Sequence, residues 1–85
     1  QSWVYQMIHL EEVWRLGYNG KGVRVRINDN GMMVSHPEFE GRIDLNASCA
    51  LYLPMASERV ADVSHGTNVA GIVGAAADND VCSVG

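Results

Sequence analysis

The sequence predicts an α/β fold built on a parallel sheet, of which this chain carries an incomplete part. Three observations support the prediction. Apolar residues recur at helical spacing near the N-terminus, they alternate with polar residues over 23–28, and residues 68–77 are rich in glycine and alanine, which suit a closely packed helix. The expected order is helix, strand, strand, helix, strand, and such alternation is typical of α/β domains.

The first helix is predicted over residues 6–16, QMIHLEEVWRL. Met7, Leu10 and Trp14 form one stripe at helical spacing, which predicts that this face packs against a core. The glycine-rich run 17–22 follows, and glycine and Asn-Gly favour turns and helix caps. The helix is therefore expected to end there.

The first strand is predicted over residues 23–28. Val23, Val25 and Ile27 alternate with polar residues, and β-branched side chains favour strands. Asp29-Asn30-Gly31 is a strong turn signal, so the strand is expected to end at this turn.

The second half of the chain is predicted to hold two further strands around one helix. A weaker alternation over 42–47 predicts a strand. The glycine- and alanine-rich helix is expected to start at Ser64 or His65 and to end at residues 78–80, DND. Residues 81–85 are expected to begin another strand.

Composition excludes two classes of function for this part of the chain. Six basic and ten acidic residues give a net charge of −4, which excludes the basic surface that nucleic-acid binding needs. No apolar run approaches the roughly 20 residues of a membrane span. Gln1 is not an initiator methionine and Gly85 lies in an apolar run, so we expect the chain to be a piece of a longer domain.

Asp29 and His65 are the residues best placed for chemistry. Asp29 follows a predicted strand, and active sites of open α/β sheets lie beyond the carboxyl ends of the strands. A carboxylate beside an imidazole fixes its tautomer, and the imidazole can take and return a proton. Taken singly, each residue is more often a turn or capping group, so the spacing leaves the pair a hypothesis.

The motifs around both residues resemble those of the subtilases, the subtilisin-like serine proteases of the peptidase S8 family. Residues 17–31 resemble the stretch around the family's catalytic aspartate, and residues 64–71, SHGTNVAG, are similar to its histidine motif SHGTHVAG. Residues 77–85, ADNDVCSVG, resemble the ANNGVCGVG run of the kexin and furin branch. The resemblance implies that Asp29 is the triad aspartate and His65 the general base, in the order known for subtilisin.

The resemblance also implies an architecture and an activity. Residues 1–85 would be the N-terminal fragment of a three-layer catalytic domain with a parallel sheet. That domain would be a serine endopeptidase acting on a protein or peptide substrate, with a propeptide or an inhibitor as further partner. Because the triad serine is missing from this chain, we predict that the chain alone is inactive. The family further implies a secreted or lumenal protein.

A structural calcium site is implied by the same resemblance. His36-Pro37-Glu38 resembles the family's His-Pro-Asp, with Glu in place of Asp, and this acid and the loop after the histidine helix bind calcium in these families. Oxygen donors of this kind suit calcium. The alternative is a solvated Glu38 and a helix-ending Asn79. The expected ligands are the Glu38 carboxylate, the Asn79 side chain and backbone carbonyls near Ala76, Val81 and Ser83.

Two departures from the family pattern motivate alternatives. Arg26 and Asn28 interrupt a strand that is normally apolar on both faces, and burying such groups without partners costs about 1–3 kcal/mol. They therefore either find partners or lie on a less buried strand. One alternative is a pseudoprotease or binding module that keeps the subtilase fold. An unrelated α/β ligand-binding domain is disfavoured, because no GxGxxG follows a strand.

Overall fold

The computed structural model describes residues 2–48, 60–81 and 84–85. These residues form helices α1 (Ser2–Met7), α2 (Leu10–Arg15) and α3 (Val60–Gly74), with short 3₁₀-helices at Pro37–Phe39 and Leu45–Ala47. No strand is present in these ranges. None of the helices described is both long enough and apolar enough to cross a membrane.

The N-terminal segment forms two short helices, so the prediction of one helix over 6–16 is wrong. The backbone of His9 adopts a left-handed conformation with a φ of 53°, which interrupts the helix between α1 and α2. Histidine is among the residues that enter this region more often than most. The predicted apolar stripe does not form one buried face. Met7, which is expected to pack against the core, is 68% exposed.

An aromatic pair joins the two short helices and connects them to the other end of the chain. The rings of Tyr5 and Trp14 meet edge to face, with centroids 5.8 Å apart and an interplanar angle of 64°. Such pairs contribute about 0.5–1.5 kcal/mol beyond the area they bury. The Tyr5 hydroxyl also donates a hydrogen bond of 2.9 Å to the carbonyl of Val84. The N-terminal helices are thereby fixed to the C-terminal segment.

Replacing Tyr5 with phenylalanine is expected to lower the free energy of unfolding of the full-length protein by about 1 kcal/mol. The change keeps the ring against Trp14 and removes the hydroxyl that reaches Val84. Urea denaturation measures the difference. Tyr18→Phe is the matched control, because Tyr18 is exposed, and it should change stability by less than about 0.5 kcal/mol. Equal effects of the two changes would contradict the role of the Tyr5 hydroxyl.

The segment 23–28, predicted as a strand, is not paired with a second strand in the described part of the chain. Val23 and Val25 are exposed, as are Arg26 and Asn28. A strand needs a neighbour whose backbone groups pair with its own, and none is supplied here. The parallel sheet therefore stays a prediction. Arg24 lies within the segment at the surface, with Nη2 3.1 Å from Asp44 Oδ2.

The weaker strand expected over 42–47 is wrong at its C-terminal half, where Leu45–Ala47 form a 3₁₀-helix. Asp44 caps this turn, because its side chain accepts a hydrogen bond of 3.1 Å from the backbone N–H of Ala47. The Ser48 hydroxyl donates to the Asp44 carbonyl at 2.7 Å. Side-chain bonds of this kind offer the backbone an alternative to a strand.

Helix α3 carries the core and begins earlier than expected. It starts at Val60 instead of Ser64 or His65, so His65 lies in its second turn. Val63 and Ala70 of α3 are buried together with Phe39 and Ala75. Helix α3 contacts the Pro37–Phe39 turn. The backbone N–H of Ala76 completes this contact by donating to the Glu38 carbonyl at 2.9 Å.

The C-terminal strand expected over 81–85 is not formed by the described residues. Gly85 donates a backbone hydrogen bond of 3.2 Å to the Ala75 carbonyl, just past the end of α3. Residues 82–83 lie outside the described residues. Gly85 therefore lies beside the C-terminal end of α3.

Candidate active site

The structure brings Asp29 and His65 together. Nδ1 of His65 lies 2.9 Å from Oδ1 and 2.8 Å from Oδ2 of Asp29. Asp29 is placed by the turn that follows 23–28, and His65 by the second turn of α3. A carboxylate can only accept, so Nδ1 carries the hydrogen of this contact and a neutral ring keeps Nε2 as its acceptor.

The imidazole is fixed on one side and open on the other. The Asp29 side chain is 16% exposed, whereas the His65 side chain is 73% exposed. Within the part of the chain that the structure describes, the only hydrogen-bonding partner of the ring is Asp29. Nε2 can therefore accept a proton from a group that approaches from solvent or from another part of the protein. This is the geometry that a general base requires.

Two hydrogen bonds hold the pKa of Asp29 below its ordinary value. The larger effect comes from the backbone N–H of Asn30, which donates to Oδ1 at 2.7 Å. The contact with His65 lowers the pKa further, and partial desolvation opposes both. Asp29 is therefore ionised at neutral pH, which is the form that stabilises an imidazolium at His65.

The lowered pKa of Asp29 predicts a stability difference that depends on pH. A carboxyl group whose pKa is lower in the folded state stabilises that state above its unfolded pKa, and the contribution is lost as pH falls through the folded pKa. We expect wild-type full-length protein to be more stable than Asp29→Asn at pH 7. The difference in free energy of unfolding should shrink as pH falls below about 3.9.

Urea denaturation of both proteins between neutral and acidic pH measures this difference. Glu40→Gln is a control, because Glu40 is an exposed carboxylate and the change leaves the Asp29–His65 contact intact. A wild-type minus Asp29→Asn difference that stays constant as pH falls would contradict the assignment.

Two further contacts hold the loop after Asp29 against α3, and sequence reasoning missed both. Asn30 Oδ1 accepts a hydrogen bond of 3.0 Å from the backbone N–H of Gly66. Thr67 Oγ1 accepts from the backbone N–H of Met33 at 2.9 Å and donates to the Val63 carbonyl at 2.7 Å. The residues themselves stand in the two motifs, but the spacing of a motif does not reveal which side chains join the two segments.

Gly66 lies where the loop and the helix approach most closely. A Cβ atom at Gly66 would collide with the backbone carbonyl oxygen of Gly31 and press on Asn30. Gly31 has a φ of 112°, a conformation that glycine adopts without strain. The two glycines therefore permit a backbone approach that other residues at these positions would prevent.

The expected calcium ligands lie near one another where the structure describes them. Glu38 is only 3% exposed, so the alternative of a solvated Glu38 is wrong. Asn79 lies beyond the end of α3, and its Nδ2 donates to Glu38 Oε2 at 3.5 Å while its Oδ1 accepts from the Val81 N–H at 3.2 Å. Ala76 contacts the Glu38 backbone, and Ser83 lies outside the described residues.

The oxygen atoms around Glu38 belong to a carboxylate, a side-chain amide and backbone carbonyls, and not to several carboxylates. Within the described ranges no three His, Cys, Asp or Glu side chains group together as a metal site. Calcium accepts backbone and amide oxygens beside carboxylates, so this finding does not count against the expected ligands. Transition metals, which prefer His and Cys, find no such group in the described ranges.

Comparison with known proteins shows which family this chain matches. A family model described as the subtilase family matches residues 20–85. Human neuroendocrine convertase 2 is 40% identical over 83 residues, which cover 92% of this chain and 13% of that protein. Furin-1 of Xenopus laevis is 36% identical over 83 residues, covering 92% of this chain and 11% of that protein. No solved structure matches the chain.

The matched region is a small part of each relative. Bovine furin, which is 36% identical over 88 residues, is covered to only 10% of its length, while 92% of this chain is matched. The chain thus spans about an eighth or less of the curated relatives it matches. Its described active-site features are the Asp29–His65 contact and the segments that support it.

Proposed function

The chain belongs to the subtilase family, and we propose that it is the N-terminal part of a serine endopeptidase domain in which Asp29 and His65 are two members of a Ser-His-Asp triad. The observation that carries the proposal is the contact of His65 Nδ1 with both oxygens of Asp29. The incomplete three-layer α/β architecture, with residues 1–85 as its N-terminal fragment, is part of this proposal.

The proposed reaction uses the free nitrogen of His65. A serine outside these residues would attack the carbonyl carbon of the scissile peptide bond, and Nε2 would accept the hydroxyl proton. Asp29 would stabilise the imidazolium and keep Nδ1 protonated. Nε2 would then give the proton to the leaving amine as the C–N bond breaks, which leaves the acyl group on the serine. A water molecule that gives a proton to Nε2 would attack this ester, and the acid product and the free serine would be released. Oxyanion-hole donors from other parts of the protein would stabilise the tetrahedral intermediate.

The proposed substrate class and compartment are based on the similarity to the relatives. Similarity to neuroendocrine convertase 2 and to furin supports a protein or peptide substrate. It also supports a secreted or lumenal protein. A propeptide or an inhibitor would be a further partner of the domain. The negative net charge of the chain agrees with a partner other than nucleic acid.

The proposal is tested by assaying the full-length protein with fluorogenic peptides and with a fluorophosphonate that labels activated serines. We expect turnover that the fluorophosphonate abolishes, and no turnover from the 85-residue chain alone. A folded full-length protein that neither cleaves peptides nor takes up the label would favour the pseudoprotease. Inhibitor-sensitive turnover by the 85-residue chain would contradict the need for a serine outside it.

We further propose that calcium binds between the Pro37–Phe39 turn and the loop after α3. Glu38 is a buried carboxylate in contact with the Asn79 amide, and the donor set of carboxylate, amide and carbonyl oxygens fits calcium. The Glu38 carboxylate, the Asn79 side chain and carbonyls near Ala76, Val81 and Ser83 would hold the ion. Bound calcium would supply structural stability only.

Removing calcium with a chelator is expected to lower the Tm of the full-length protein. Saturation at 100 times Kd is worth about 2.7 kcal/mol. In Glu38→Gln the Tm should respond much less to added calcium. Glu40→Gln, an exposed neighbour, serves as the control and should respond as wild type does. If calcium raised the Tm of Glu38→Gln as much as that of wild type, Glu38 would not be a calcium ligand.

A further inference from the structure

We infer that Asn30 is a positioning residue that holds His65 against Asp29, through a hydrogen bond from its side chain to the backbone of Gly66. The inference rests on the proposed function of the Asp29–His65 pair and adds a third side chain to it. Among the described residues, the hydrogen bonds of Asn30 run to Asp29 and to Gly66 and not to the imidazole. Asn30 acts on the helix that carries the imidazole.

Asn30 bonds in two directions at once. Its backbone N–H donates to Asp29 Oδ1 at 2.7 Å, and its side-chain Oδ1 accepts from the Gly66 N–H at 3.0 Å. The first bond orients the carboxylate, and the second joins the residue after Asp29 to the residue after His65. The contact between the two site residues is thus repeated by their immediate neighbours.

The Asp29–His65 contact needs such support. His65 is largely exposed, and a side-chain pair open to solvent contributes only about 0.2–1 kcal/mol even when both groups are charged. A contact of that strength does not by itself hold two separate segments in one geometry. The Asn30–Gly66 bond is partly buried, and one of its partners is a backbone group with no side-chain freedom to lose.

The close packing of the loop after Asp29 against α3 fixes the position of Asn30. Because Gly66 has no Cβ, the backbone carbonyl of Gly31 can lie against the helix. The Asn30 side chain is then within hydrogen-bond distance of the Gly66 N–H. On the far side of the contact, Thr67 accepts from the backbone of Met33. The loop therefore meets α3 at three successive helix residues, and Asn30 supplies the central bond.

The side-chain bond can be tested separately from the backbone bond, because substitution leaves the Asn30 N–H in place. Asn30→Ala removes the acceptor, Asn30→Gln moves it by one methylene group, and Asn30→Asp keeps it. In the full-length protein we expect Asn30→Ala and Asn30→Gln to lower kcat for peptide hydrolysis by about 10-fold to 100-fold with KM nearly unchanged. Asn30→Asp should recover most of the loss.

Asn28→Ala is the matched control. Asn28 is also an asparagine close to Asp29, it is exposed, and its side chain makes no hydrogen bond among the described residues. Its kcat should stay within about twofold of wild type. A loss of the same size in Asn28→Ala and Asn30→Ala would show a general disturbance of the loop and overturn the inference.

A second measurement stands apart from turnover. The hydrogen on His65 Nδ1, held by Asp29, should give a downfield proton NMR signal in wild type, Asn30→Asp and Asn28→Ala. The signal should broaden or vanish in Asn30→Ala and Asn30→Gln. A wild-type signal together with wild-type kcat in those two variants would overturn the inference. If wild type shows no turnover while the signal still depends on the Asn30 acceptor, the proposed function fails and the positioning role holds.

Discussion

Replacing His65 with alanine is expected to lower kcat of the full-length protein by on the order of 10⁶-fold. The imidazole is the proposed base, and its Nδ1 contact with Asp29 leaves Nε2 as the nitrogen that can receive the serine proton. Substrate binding involves other groups, so KM should change little. Steady-state kinetics with a fluorogenic peptide, supported by active-site titration, measures the loss.

The losses in kcat caused by replacing His65 and Asp29 should not add, and this provides a stricter test. Asp29→Asn alone is expected to cost about 10⁴-fold, because the imidazole then loses its tautomer and its counter-charge. The double variant should be no worse than His65→Ala, because the two residues act as a unit. His9→Asn is the control, since His9 is exposed in the N-terminal segment and asparagine tolerates its left-handed backbone. Independent, additive losses would contradict a shared role.

Gly66→Ala is expected to destabilise the protein by about 3 kcal/mol and to remove most of the peptidase activity. The new methyl group would occupy the space of the Gly31 carbonyl oxygen, so the loop and α3 would have to separate. Separation would lengthen the Asn30–Gly66 and Asp29–His65 contacts together. Urea denaturation and peptide turnover measure the two effects.

Gly71→Ala is the matched control for this change. Gly71 lies in the same helix, and a Cβ placed on it would meet no other described residue within 4 Å, apart from the backbone of its own helix and its chain neighbours. Alanine is a better helix former than glycine by about 1 kcal/mol, so this variant should be slightly more stable than wild type. If Gly66→Ala were also stabilising, the close approach of loop and helix would be disproved.

The site residues were more predictable than their supports. The resemblance of their surrounding motifs to those of a known family singles out Asp29 and His65, and the structure places the two residues in contact. Asn30 and Thr67 stand in the same motifs, yet their roles depend on which backbone group faces each side chain. That depends on the docking of two distant segments, which spacing along the chain does not specify.

The predicted elements failed where local geometry overrode periodicity. The stripe of Met7, Leu10 and Trp14 indicates one helix, but a left-handed His9 divides it, and periodicity carries no information on a single backbone dihedral. Alternation at 42–47 indicated a strand, but the Asp44 cap favours a 3₁₀-helix. The alternation at 23–28 is stronger, and a sheet would require partner strands beyond the described residues.

The hydrogen bond between Tyr5 and Val84 has a consequence for the order in which the chain assembles. It joins residues 79 positions apart, whereas Asp29 and His65 are 36 positions apart. Closing the longer loop costs about 0.7 kcal/mol more conformational entropy, because the cost grows with the logarithm of loop length. The Asp29–His65 contact therefore has the smaller entropic barrier. The segments that carry Asp29 and His65 can therefore come together, joined by the Asn30–Gly66 bond, before Tyr5 reaches Val84.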